Sequence, residues 1–246
     1  MKKSLFITTL LLPFMLLASC STKNSPDDKE IIVGASPTPH AVILEHAKSY
    51  VEESGYKLTV KVFDDYVTPN TSLNSGDLDA NYFQHVPYLT DFNQKNGTDL
   101  EWVMKVHFEP MGVYSLKHTD LFHREGMKIA IPNDVSNGDR ARALISEIEN
   151  LWDATIIEAE AQTLPSLLQD VDYACINGNY ALSAEITDKC LYSESTTSVV
   201  ANTNANVIVV KKENKDKPFV KVLCDAVKKC KDFIEETFGD SVKVVF

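Results

Sequence analysis

A two-lobed α/β fold is what this sequence predicts, and three observations predict it. Hydrophobic periodicity switches between strand-like alternation and helix-like spacing along almost all of the chain, as successive βα units require. The stretch from residue 31 onward, roughly 215 residues, is large for one simple core and suits two lobes of about 100 residues each. An apolar, extended run at residues 102–116 is interrupted by Pro110 and Gly112, as a crossing between lobes would be, and a late strand and helix could carry the chain back. Two connections would then join the lobes, and the cleft between them is the natural place for a small ligand.

An address precedes the fold. Lys2 and Lys3 lead into an apolar run at residues 5–17 that is too short to span a bilayer comfortably, and Leu17-Ala18-Ser19-Cys20 follows. The string LASC resembles the lipobox of bacterial lipoprotein signal peptides, which implies cleavage before Cys20 and acylation of its thiol, for example by palmitate. Residues 1–19 are therefore expected to be a signal peptide. Residues 20–30 are expected to be a tether, because residues 21–30 carry four charged side chains besides Glu30 and Pro26 but nothing apolar. Acyl chains contribute about 0.8 kcal/mol per buried methylene, so two of them hold a domain at a membrane without a spanning helix. The expected location is the cell envelope, on its periplasmic or extracellular face.

The elements follow in order. Residues 31–34 read as a buried strand, and a helix over residues 40–54 buries Ile43, Ala47, Tyr50 and Val51 before Gly55 closes it. Residues 58–63 alternate as a second strand, Pro69 opens a short helix to Leu73, and residues 80–83 form a third strand. Past the crossing, a second series begins with a strand at 128–131 and a helix at 137–150. It continues with a strand at 155–157, a helical segment at 164–169, a strand at 173–176 and a helix near 180–186. A strand at 206–210 and one long amphipathic helix at 218–239 close the chain. Lobe I is accordingly assigned residues 31–112 and 203–246, and lobe II residues 113–202.

Charge and cysteines narrow the class. The formal charge is −11, and loss of two leader lysines makes it more acidic still, so a phosphate backbone would be repelled and no nucleic-acid partner is expected. Of five cysteines, Cys20 is assigned to lipid. Cys224 and Cys230 share one predicted helix, which sets their Cα atoms roughly 9 Å apart and beyond bridging range. Cys230 falls on that helix's apolar stripe, and a Cys175–Cys190 bridge is geometrically open.

Two segments carry chemistry. LDANYFQHVPYL at residues 78–89 gathers Tyr82, Phe83 and His85, side chains suited to walling a pocket for one small, partly apolar molecule. IPNDVSNGDRARAL at 131–144 holds two of the three arginines behind a run of turn and N-cap residues. An arginine in the first turns of that helix would meet a carboxylate bidentately. Arg140 and Arg142 point about 200° apart, so only one of them can face a ligand. Cys175 with a histidine raises a thiol hydrolase, yet no motif supplies an orienting residue. No G-x-S-x-G elbow, phosphate loop or H-E-x-x-H helix occurs, and no enzyme activity, cofactor or resident metal is expected. His118 and His123 are expected at the surface.

Six segments then point to a family. VGASPTPHAVILE (33–45), VFDDYVTPN (62–70), LDANYFQHVPYL, VHFEPMGVYSL (106–116), IPNDVSNGDRARAL and INGNYA (176–181) occur in an order that resembles the NlpA/MetQ family of methionine-binding lipoproteins. The resemblance covers nearly the whole chain beyond the leader. It implies a periplasmic-binding-protein-like fold of type II and a monomeric receptor of an ABC importer, which hands L- or D-methionine to a permease and its ATPase. It also implies roles: Arg140 for the ligand carboxylate with Asn137 supporting it, Asn177 and Asn206 as an amide pair for the ammonium and carboxylate, and Tyr66, Tyr82, Phe83, His85 and His107 around the thioether. Asp139, Arg142 and Cys175 depart from the family pattern, and an acid beside Arg140 would weaken its hold on an anion. Receptors for a methionine-containing dipeptide or for a metal ion are the neighbouring alternatives.

Overall fold

A computed structural model describes residues 29–151, 153–196 and 199–246. The expected signal peptide, Cys20 and nearly all of the tether lie outside the described residues. The first lobe is laid down as β1 (Glu30–Ala35), α1 (Val42–Glu53), β2 (Lys57–Val62), α2 (Thr68–Ser75), β3 (Ala80–His85), α3 (Val86–Asn96) and β4 (Leu100–Phe108). The chain then crosses to build β5 (Gly112–Tyr114), β6 (Lys128–Pro132), α4 (Val135–Ser146), β7 (Thr155–Ala159), α5 (Leu164–Leu167), β8 (Tyr173–Ile176), α6 (Gly178–Ser183) and β9 (Cys190–Ser193). It returns through α7 (Val199–Thr203) to β10 (Asn206–Lys211), α8 (Pro218–Lys228), α9 (Lys231–Phe238) and β11 (Lys243–Val244).

The two sheets have the orders β11-β4-β10-β3-β1-β2 and β7-β6-β8-β5-β9. Each repeats one plan: three parallel strands in the order second, first, third, then a strand that has just crossed from the other lobe, then a fourth. The crossing strand β10 runs antiparallel to β3 and β4, and β5 runs antiparallel to β8 and β9. The sheets are therefore mixed rather than largely parallel. A strand arriving from the other lobe needs no helical crossover, so nothing forces it to run with its neighbours. The first crossing falls between Phe108 and Gly112, which places Gly112 in the second sheet.

Local chemistry explains the element ends that matter for the site. His85 closes β3 and caps α3, its Nδ1 accepting the Tyr88 amide at 3.2 Å, and Pro87 suits the first turn that follows. The sequence reading had no helix at α3, because the string at 78–89 straddles a strand and a helical turn. Asp134 caps α4 by accepting the Asn137 amide at 2.9 Å, so this helix begins two residues earlier than its apolar pattern suggests. The expected single helix at 218–239 is two, α8 and α9, parted at Lys229–Cys230. Cys230 is fully buried there, among Ile43, Leu223, Val227 and Ile234.

Each lobe has its own core. Ile31, Val33, Ile43, Leu44 and Tyr82 pack with α8 in the first, and Ile129, Ile131, Leu144 and Tyr173 pack in the second. Cys175, Cys190, Cys224 and Cys230 are all free thiols. Thiol titration of the unreduced, denatured protein acylated at Cys20 should therefore count all four, and dithiothreitol should leave the thermal midpoint unchanged. A count two lower would mean that a bridge forms.

Candidate ligand-binding site

Between the two sheets lies a pocket. Lobe I contributes Tyr66, Phe83, Gln84, His85, Tyr88 and Asn206, lobe II contributes Asn137, Arg140 and the Asn177–Asn179 turn, and Glu109 stands at the crossing. One wall is aromatic. Tyr66 lies 5.8 Å from Phe83 and 5.7 Å from Tyr88 between ring centroids, and Tyr180 of α6 closes on Tyr66 at 5.0 Å. Three hydrogen bonds span the gap: Tyr66 Oη to Asn179 Oδ1 at 2.6 Å, His85 Nε2 to Asn137 Oδ1 at 3.0 Å, and Tyr180 Oη to the Asp64 carbonyl at 2.8 Å. The lobes are thus closed on the pocket.

The opposite wall is polar, and its groups are not all spent. His85 Nδ1 accepts from the Tyr88 amide, which leaves its Nε2–H to donate to Asn137. Asn137 Oδ1 also accepts from Asn177 Nδ2 at 2.8 Å, while its own Nδ2 is held by Asp134. Asn177 Oδ1 and Asn179 Nδ2 are then buried without a partner, an acceptor and a donor on one turn of the pocket wall. Buried polar atoms are rarely left so, which makes them signs of a ligand.

Arg140 does not stand free to grip a carboxylate with its whole fork. Its Nε and Nη2 bind the two carboxylate oxygens of Glu194 at 2.7 and 2.5 Å, and Nη2 also donates to the Glu109 carbonyl at 2.8 Å. Its Nη1 has no hydrogen bond among the described residues, and the side chain faces the pocket. The bidentate geometry expected for a ligand is therefore taken by Glu194, which lies 54 residues away in sequence. Asp139, the acid expected to interfere, is exposed. Arg142 is exposed as well and pairs with Glu158, which settles which arginine turns inward.

Of the residues expected at the site, Tyr66, Phe83, His85, Asn137, Arg140, Asn177 and Asn206 line the pocket, whereas Tyr82 and His107 do not. Strand alternation explains the first: Phe83 faces the cluster shared with α2 and α3, so its neighbour Tyr82 turns to the opposite face and joins the α1 and α8 core. His107 sits behind Glu109, its Nε2 donating to Glu109 Oε1 at 2.7 Å and its Nδ1 bonded to the Tyr82 hydroxyl. Sequence reasoning passed over Glu109, Gln84, Tyr88, Asn179 and Glu194. Glu109 had a signal, being the one acid in the extended run 102–116. Glu194 had none.

Glu109 is nearly sealed from water. Its Oε1 also faces Asn206 Nδ2 at 3.3 Å and His40 Nε2 at 3.4 Å. Burial pushes its carboxyl up to about 7, and burial likewise drives His40 and His85 down to about 4 and His107 to about 3. Burial also pushes the Cys175 thiol up, the reverse of an activated nucleophile. His118 and His123 are partnered with Asp172 and Asp153, away from the pocket.

A pocket closed between two α/β lobes and rimmed by unspent hydrogen-bonding groups is the site of a substrate-binding protein. The chain belongs to the NlpA lipoprotein family, which it matches over residues 31–149 and 146–246. It is 34% identical to the methionine-binding lipoprotein MetQ of Bacillus subtilis over 98% of both chains. A nutrient-binding protein from Burkholderia cenocepacia solved bound to methionine is similar at a TM-score of 0.82 and 36% identity, over 88% of this chain and 100% of that one. A periplasmic substrate-binding protein of an ABC transporter from Coxiella burnetii is similar at 0.80 and 32%, over 87% and 100%.

The buried groups set a pH dependence. His40, His85 and His107 stay neutral in the fold well below their ordinary 6.5, so between about pH 4 and 6.5 the unfolded chain binds more protons and stability rises with pH. Glu109, raised from 4.5 to about 7, works the other way, because there the fold keeps a proton that the unfolded chain has lost. Three groups oppose one. Urea midpoints of the ligand-free protein should therefore climb from pH 4.5 to 6.5, and a fall over that range would contradict these burial assignments.

Proposed function

We propose that the pocket binds free methionine, and that the chain is a lipid-anchored receptor delivering it to an ABC permease and its ATPase. The carrying observation is the set of unspent groups facing an aromatic wall. Arg140 Nη1 and Asn179 Nδ2 are donors for a carboxylate, and Asn177 Oδ1 and the Glu109 carboxylate are acceptors for an ammonium. Glu194 already neutralises Arg140, so Glu109 is the buried charge on this wall that lacks a cation. An α-ammonium supplies one.

The other end of the ligand meets Phe83, Tyr66 and Tyr88. A thioether is flexible and polarisable, and its contacts with aromatic edges contribute about 0.3–1.5 kcal/mol. This is modest beside charge-assisted bonds in a closed cleft, so the polar wall governs affinity and the aromatic wall selectivity. The names of the Bacillus and Burkholderia proteins support the same ligand. Acylation at Cys20 would hold the receptor at the outer face of the membrane that carries the permease.

Calorimetric titration of ligand-stripped protein should show one methionine per chain. Arg140→Ala and Glu109→Gln should each weaken it at least about tenfold, or 1.4 kcal/mol. No heat with methionine, but clear heat with a methionine dipeptide, would overturn the assignment. Phe83→Ala should reduce the preference for methionine over alanine while retaining carboxylate recognition. Equal losses for the two amino acids would refute that division of labour.

A further inference from the structure

Behind the pocket, on the lobe I side, three potential ligand atoms converge and a fourth lies beside one of them. The geometry points to a second site, in which His40 Nε2, His107 Nε2, Glu109 Oε1 and Asn206 Oδ1 bind a divalent transition-metal ion of the zinc class. The sequence reading expected no resident metal, because its six histidines are scattered and form no spaced motif. The fold gathers two of them from α1's approach and from β4.

The donor set fits. One ligand atom from each of His40, His107 and Glu109 lies within 4.8 Å of the others, and all three residues are buried. His40 Nε2 stands 3.4 Å from Glu109 Oε1 and 3.1 Å from Asn206 Oδ1, and His107 Nε2 stands 2.7 Å from Glu109 Oε1. A tetrahedral ion with bonds of about 2.0–2.1 Å sets its donors roughly 3.3 Å apart. Of these three separations only His107–Glu109 is clearly shorter, and it would have to open by about 0.6 Å on that estimate.

Charge and orientation agree with it. Two neutral imidazoles and a carboxylate are the ligand chemistry this ion prefers, and both rings are kept neutral here by burial. Arg140 spends its fork on Glu194 and not on the Glu109 carboxylate. The Tyr82 hydroxyl bonded to His107 Nδ1 fixes that ring with Nε2 aimed at Glu109, the outer-sphere contact that orients histidine ligands. Glu109 and Asn206 also line the amino-acid pocket, which gives an ion a way in when the lobes part.

The test uses the full chain, freed of small molecules and chelator-treated, titrated with Co²⁺. One equivalent should bind with the visible d–d bands of a tetrahedral nitrogen and oxygen site, without thiolate charge transfer, and Zn²⁺ should displace it. His40→Gln and His107→Gln should each abolish the bands. Tyr82→Phe preserves the ring volume and should weaken cobalt binding by about tenfold, so the outcome stays readable if a histidine variant misfolds. The double variant His118→Gln/His123→Gln, at the partnered surface histidines, should bind like the parent. Absence of stoichiometric binding in the parent, or bands that persist in both His40→Gln and His107→Gln, would overturn the site; methionine titrations of the same protein report on the amino-acid pocket separately.

Discussion

Two carboxylates and one guanidinium are shut away from water where the chain crosses between lobes, and the rest of the site is arranged around that imbalance. Desolvating an ion costs several kcal/mol even after relaxation, so each must be met by a partner. Arg140 and Glu194 meet one another, with side chains only 7% exposed. Such a pair adds little net stability compared with apolar packing, and its value here is positional. Glu194 also accepts the Met111 amide at 2.8 Å, and Arg140 donates to the Glu109 carbonyl. The pair therefore ties both crossing segments to α4 and holds Arg140 in the pocket wall.

Closure rests on weaker forces. The bonds from Tyr66, His85 and Tyr180 across the gap are neutral, and bonds of that kind contribute about 1 kcal/mol each once exchange with water is counted. A ligand that bonds to both lobes adds charge-assisted terms to this small sum, and it can shift the population between open and closed forms only by that difference. The aromatic wall, by contrast, is braced. Asn70, Asn81 and Gln84 exchange side-chain amide bonds of 2.7 to 2.9 Å beneath it, all three buried, so Phe83 is presented on a fixed strand whether or not the cleft is filled.

The sequence was informative where chemistry is local. Strand and helix periods marked most elements, Pro110 and Gly112 marked the crossing, and the stretch from Asn133 to Arg142 announced a capped helix with one of two arginines inward, which only the family resemblance resolved to Arg140. It was uninformative where partners are distant. Glu194 reaches Arg140 only through the fold, and nothing in its neighbourhood distinguishes it from a surface acid. Clustering along the chain also misled, because Tyr82 and Phe83 are adjacent in sequence and point to opposite faces of β3. The split between α8 and α9 went unseen for a related reason: the apolar stripe continues through Cys230, and its burial, not any glycine or proline, accompanies the break.

Gly178 shows how closely the two lobes must approach for Glu109 to be served from both sides. A Cβ there would lie 3.2 Å from the Pro110 carbonyl, which is tight, and 2.8 Å from the Glu109 Cβ, a distance that real Cβ atoms essentially never show. The residue is therefore glycine because of a close approach, not because of an unusual backbone angle. That approach lets the Asn179 amide support the Glu109 carboxylate while His107 and Asn206 hold it from lobe I. It also leaves Asn177 and Asn179 on either side of Gly178, facing the pocket with their unspent atoms. One missing side chain thus allows a buried charge on the first crossing and the recognition turn of lobe II to address the same small molecule.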